Sequence, residues 1–271
     1  MNSIRPGVLP YYEIFDSAGR DRPWLVMIHG ASQHRGVFGA QVEYFQHHCR
    51  VLLIDLPGHG GSTQIAGPYA LVEYTESALA ALDQIGIAQM HFWGTHTGAG
   101  VGLLLAASGY RNRFASLILD GAVFPGVDIP SIVATISKAK ATARTRGIAA
   151  ACKEWFDEAE WFAVLRENPL QCRAAAHWAM VQEFAGAPWF DSSQPRSVAP
   201  IEGRLPNLDI PTLLINGEHD LDDFMLIAER IAAALPNAQR YIVPGGGGFP
   251  LWEYPKLVND RVRDFLAQNS A

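Results

Sequence analysis

The stretch Met90-His91-Phe92-Trp93-Gly94-Thr95-His96-Thr97-Gly98-Ala99-Gly100 decides how this chain folds. Met90–Trp93 is a short apolar run of the kind found in strands buried on both faces. From Gly98 to Ser108 the residues are small or apolar all round, which predicts a buried helix pressed on a sheet. The turn between them is confined to Gly94-Thr95-His96-Thr97-Gly98. Small residues at its two ends let strand and helix pass close to one another.

The same alternation spreads outward. Strands are expected at Tyr11–Phe15, Trp24–Ile28, Val51–Asp55, Ser116–Asp120, Thr212–Ile215 and Arg240–Val243. Helices are expected over Tyr69–Ile85, with Leu71, Tyr74, Leu79 and Leu82 on one face, and from Asp222, a candidate cap, to about Leu235. A last helix opens at Pro255, with Leu257, Val258, Val262, Phe265 and Leu266 facing in. Alternating strands and helices imply right-handed crossovers and an α/β fold, a doubly wound, mostly parallel sheet. The pattern breaks between Pro125 and Leu205, where helices are expected at Ser131–Arg146, Ile148–Trp161 and Leu170–Phe184. That gives a core of residues 1–124 and 206–271, with residues 125–205 as a helical cap. The cap is rich in aromatics, including Trp155, Trp161, Phe162, Trp178 and Trp189. Most should hold it together, and some should roof a largely apolar cavity.

Composition narrows the function. The chain has 271 residues, 49% of them hydrophobic and 18% charged, enough for one large domain with a sizeable core. A net charge of −6 argues against an electrostatic nucleic-acid binder. No run reaches the ~18 apolar residues of a membrane span, and the N-terminus lacks a signal-type apolar region, so a cytoplasmic protein is expected. Cys49, Cys152 and Cys172 read as buried free thiols. No HxH or HExxH spacing suggests a metal, and no cofactor motif is present.

Four landmarks follow strands in order: Ile28-His29-Gly30-Ala31-Ser32; Asp55-Leu56-Pro57-Gly58-His59-Gly60-Gly61-Ser62; Phe92-Trp93-Gly94-Thr95-His96-Thr97-Gly98; and Asp209-Ile210-Pro211 through Gly217-Glu218-His219-Asp220. A tail, Val243-Pro244-Gly245-Gly246-Gly247-Gly248-Phe249-Pro250, comes last. Together they resemble the α/β-hydrolase superfamily over nearly the whole chain, specifically its capped small-molecule members: carbon–carbon bond hydrolases, enol-lactonases and esterases. In that family the central residue of the G-x-S-x-G turn is a serine nucleophile, held at positive φ and aimed into the pocket. Here it is His96, and histidine tolerates positive φ comparatively well.

The resemblance also implies an acid at Asp220, with Asp120 as the alternative, and a catalytic histidine where Phe249-Pro250 places Gly248. Two of the three triad positions are therefore changed. The family's backbone oxyanion donors map to the amides of Ala31 and Thr97. His29, Gly30, Ser32, Trp93, Gly248 and Phe249 are the expected pocket neighbours. His29 and His59 should fix loops, and His219 should face solvent.

Three readings follow. An enzyme could act on a small, largely apolar carbonyl compound through a His96–Asp220 dyad and the backbone oxyanion hole, with hydrolase-like chemistry. A small-molecule binder or sensor could keep the pocket without the triad. A scaffold could retain the pocket as a relic. The dyad reading expects the His96 ring within direct or one-water reach of Asp220, filling space left by Gly248. It also expects His96→Ser combined with Gly248→His to offer the best route back to an esterase. The expected partner in the first two cases is a small molecule.

Overall fold

The computed structural model describes residues 4–269. Seven strands form one sheet: β1 Tyr12–Phe15, β2 Trp24–Ile28, β3 Arg50–Ile54, β4 Met90–Thr95, β5 Phe114–Asp120, β6 Thr212–Gly217 and β7 Ala238–Val243. Their order is β1-β3-β2-β4-β5-β6-β7. Only β1 runs antiparallel, against β3. All seven expected strands are present, shifted or extended by a residue or two at their ends.

The helices, in chain order, are α1 Gly39–Phe45, α2 Leu71–Ile85, α3 Thr97–Leu105, α4 Pro130–Arg146, α5 Ile148–Glu158, α6 Ala163–Glu167, α7 Ala174–Gln182, α8 Ala187–Phe190, α9 Asp222–Ala234, α10 Pro250–Glu253 and α11 Pro255–Gln268. Every residue of α3 from Gly98 to Leu105 is buried, as its small, apolar composition requires. The helix expected over Leu170–Phe184 begins only at Ala174, the one from Gly98 is α-helical only to Leu105, and two side-chain details also differ from expectation. Leu257 is 43% exposed, because the inward stripe of α11 runs through Val258, Val262 and Phe265 instead. Asp222 is the first residue of α9 rather than its cap. It makes no capping hydrogen bond and acts on the helix dipole together with Asp223.

Between β5 and β6 the chain carries α4 to α8 and no strand among the described residues. Its aromatics hold it together. Trp155 packs edge-on to Trp161 at 4.8 Å and against Trp189 at 5.3 Å between ring centres. The sheet register aligns Ile28 with Gly94 and Thr95 with Asp120. The carboxyl ends of β2, β4 and β5 therefore open side by side, where parallel sheets gather their ligands. No helix among the described residues is long and apolar enough to cross a membrane.

Candidate functional site

The strand-to-helix turn between β4 and α3 is as tight as the glycines suggested. A Cβ on Gly94 would lie 2.2 Å from the carbonyl carbon of Gly98, and one on Gly98 would lie 2.0 Å from the carbonyl oxygen of Ile28. No other residue fits either position. His96 sits between them at φ +48° and ψ −111°, a positive φ outside the left-handed helical well. The Asp120 carbonyl, at the end of β5, holds its amide at 2.8 Å.

The loop after β2 is fixed by four hydrogen bonds. The Nδ1–H of His29 donates to the Gly30 carbonyl at 2.7 Å, and its Nε2 accepts from the Leu56 amide at 3.0 Å. Burial pushes that imidazole down to about 4, so it is a neutral loop fastener. The Gly30 amide donates to Gln33 Oε1, and the Ser32 amide to His59 Nε2. The Ala31 amide, between those two, has no partner among the described residues. Neither has the Thr97 amide at the start of α3, one of the orphan donors of a helix N-terminus. Ala31 and Thr97 line the same cavity.

The expected His96–Asp220 contact is not made. The Nε2 of His96 lies 2.8 Å from the carbonyl oxygen of Gly248. A carbonyl only accepts, so Nε2 carries the proton and Nδ1 is the bare nitrogen of the neutral ring. Burial pushes the imidazole down to about 4, and the Gly248 carbonyl only partly offsets this. Asp220 spends its two oxygens elsewhere, on Asn216 Nδ2 and on the Leu221 amide, each at 2.8 Å. The ring took the nearer acceptor because the tail loop closes over it. Phe224 and Phe249 pack edge-on to it at about 5 Å.

Gly248 is crowded by a different neighbour from the one expected. A Cβ there would meet the carbonyl oxygen of Trp161 at 2.7 Å and its Cβ at 2.8 Å. The insertion, and not the imidazole alone, excludes a side chain. Glu253 holds the loop from below, accepting from the amides of Gly247 and Phe249, much as a capping-box carboxylate reaches back over a helix start.

The cavity between core and insertion measures about 70 Å³. Ala31, Ser32, His96, Thr97 and Phe249 line it. His29, Gly30 and Gly248 stand behind the lining, shaping it through the contacts above. Trp93 does not belong to it. It is fully buried beside Phe38 and Phe45, because alternation along β4 turns it to the opposite face of the sheet. The roof comes from Trp155 and Trp161, two of the insertion aromatics named above, and from Ile132, Ile136 and, on α9, Phe224, which were not singled out in the sequence. Ile132 and Ile136 stand one helical turn apart, a spacing that could have flagged them.

One further group was missed. His177 of α7 is fully buried, with its Nε2 3.3 Å from Gln33 Nε2 and its ring against Phe249 and Trp252. It joins the insertion to the loop that carries Ala31. Asp120, the alternative acid, is fully buried, and neither of its carboxylate oxygens has a partner at good hydrogen-bond geometry, Thr95 and the Leu251 amide being its nearest polar neighbours. Burial, and then the charges of Asp220 and Glu253, raise its pKa well above the carboxylate range. No group of three histidine, cysteine or acidic side chains among the described residues is arranged to hold a metal ion.

The sheet order, the glycine-framed turn and the loop amides define a class of protein. The α/β hydrolase fold family model matches residues 23–255, and the chain belongs to that family. It is 26% identical over 259 residues to the 2-succinyl-6-hydroxy-2,4-cyclohexadiene-1-carboxylate synthase of Pectobacterium atrosepticum, covering 91% of this chain and 94% of that one. It is 29% identical over 103 residues to the (E)-2-((N-methylformamido)methylene)succinate hydrolase of Acinetobacter baylyi, spanning 38% of this chain and only 37% of that protein's length. Among solved structures, the enol-lactonase of Burkholderia xenovorans superposes with a TM-score of 0.79 at 22% identity, covering 95% of this chain and 96% of that one.

Proposed function

We propose that this chain binds a small carbonyl compound between core and insertion, with the insertion as its cap, and does not turn it over by a serine-type mechanism. The observation that carries this reading is the hydrogen bond from His96 Nε2 to the Gly248 carbonyl. It commits the elbow side chain to holding the tail loop. Among the described residues no carboxylate and no second imidazole hydrogen-bonds the ring, and the neighbouring His177 imidazole is turned to Gln33. What remains at the cavity is a pair of unspent amides, Ala31 and Thr97. In working sites such donors are typically worth ~3 kcal/mol each toward developing negative charge. Here they would receive the oxygen of a ligand that stays intact.

The lining carries no lysine or arginine. A carboxylate, such as those in the names of the two curated relatives, would enter without a partner for its charge. The preferred ligand is therefore an uncharged carbonyl compound. Calorimetric or tryptophan-fluorescence titration with ketones, lactones and esters tests the proposal. Saturable binding without product formation is the expected result. Turnover of any of them, lost in His96→Ala, would overturn it.

That second, catalytic reading has one observation in its favour. Nδ1 of His96 has no hydrogen-bond partner among the described residues, so it could act as a base toward a water or ligand proton. A basicity held near 4 makes it a weak one at neutral pH.

A further inference from the structure

The cavity above His96 is small for the site it would have to be. A single water occupies roughly 10–15 Å³ of such space, so about 70 Å³ holds only a handful of heavy atoms. A second, larger space of about 400 Å³ lies next to it. Val123 and Ile132 line both, so their side chains form the partition. Beyond it the walls are apolar, with Leu71, Phe124, Val127 and Val198 among them. The rim reaches solvent at Asp128 and Val133, and Asp128 is the only charged side chain on the lining.

We propose that the two spaces form one binding site for a long ligand: a carbonyl head at Ala31 and Thr97, and an unbranched, uncharged hydrocarbon tail passing between Val123 and Ile132 into the larger compartment. The head assignment rests on the function proposed above, whereas the tail assignment rests on the adjacency of the two spaces, which share Val123 and Ile132 as a thin wall. An unbranched tail is the shape that could thread between two branched side chains, Val123 and Ile132, where they separate the spaces. A tail end that is not anionic follows from a lining whose one charge is the Asp128 carboxylate, which would repel a second carboxylate and leave it without a counter-ion, and the apolar walls favour hydrocarbon over any charged end.

Methyl ketones from 2-butanone to 2-decanone test this by titration against the whole protein, each beside the methyl thioether of the same length. Sulfur is a weak acceptor, so the ketone–thioether difference reads the head and the slope with chain length reads the tail. In the wild type, affinity should rise about 4-fold per methylene well beyond 2-pentanone. A 2-decanone analogue ending in carboxylate should bind at least 10-fold more weakly than 2-decanone. Filling the larger compartment alone, by Ala70→Trp or independently by Val127→Trp, should flatten the slope. Affinity that stops rising at 2-pentanone in the wild type would overturn the tail compartment, even if ketones still beat thioethers. A full slope with ketones and thioethers equal would support the compartment and defeat the carbonyl reading instead. Tighter binding of the carboxylate analogue, or no binding at any length, would also overturn the proposal.

Discussion

His96 and Gly248 are joined by a 2.8 Å hydrogen bond from the imidazole Nε2–H to the backbone carbonyl. These are the two positions at which the sequence led us to expect departures from a serine triad, and in the folded protein they are one contact. The elbow side chain holds the tail loop, and the tail loop fixes the tautomer of the elbow side chain. Removing the ring should therefore be felt as lost stability. His96→Ala gives up that hydrogen bond and the edge contacts with Phe224 and Phe249. We expect a loss of about 2–3 kcal/mol in urea unfolding.

Restoring the missing histidine should fail. His96→Ser with Gly248→His, the best route back to an esterase by sequence, runs into Trp161, whose carbonyl oxygen would lie 2.7 Å from a Cβ at 248. Even Gly248→Ala should destabilise by about 1–3 kcal/mol through overpacking. The double variant should show no hydrolysis of activated esters above buffer. Ester hydrolysis by it would mean that the insertion moves aside readily.

The wild-type protein should give no burst with activated esters and no labelling by organophosphonates at residue 96, which carries no hydroxyl. Ser32 is the control to watch. It lines the cavity with a strained φ of +57°. A phosphonate adduct on Ser32, found by peptide mass spectrometry, would show that another hydroxyl had taken over.

Gln33→Leu should loosen the loop that presents the Ala31 amide. It removes the acceptor for the Gly30 amide and the link to His177. About 1 kcal/mol of stability should be lost. The preference for ketone over thioether should also shrink several-fold while thioether binding is kept. Loss of both ligands equally would assign Gln33 a purely structural role.

Acid should destabilise the fold over a defined range. Burial holds His29, His91 and His96 down to about 4, and His59 and His177 down to about 3. Each is neutral when folded but takes up a proton near pH 6.5 when unfolded. Their stabilisation is thus complete above pH 6.5 and is lost as pH falls toward 4 and 3. Asp220, raised to about 6, and Glu253, raised to about 7, act oppositely, favouring the fold at lower pH and losing that contribution as pH rises. Asp120 shares their direction. Five histidines outweigh three carboxyls, so the urea midpoint should be lower at pH 4.5 than at pH 7. A higher midpoint at pH 4.5 would mean that the acid cluster dominates.

The sequence by itself determined the scaffold. Buried parallel strands must be apolar runs, and a strand-to-helix turn this short must be framed by glycines, so order and spacing alone located the sheet, the elbow and the helical insertion. Local backbone geometry also made the positive φ of His96 predictable. Tertiary structure decided where the side chains went. An imidazole can satisfy its proton with any acceptor in reach, and no spacing in the chain says that Gly248, 152 residues away, offers its carbonyl before Asp220 offers its carboxylate. Nor could the sequence show that Trp161 lies on Gly248, or that Trp93 turns away from the cavity. Those outcomes depend on how the insertion docks and on which face of the sheet a residue presents, and both are fixed only when the whole core packs.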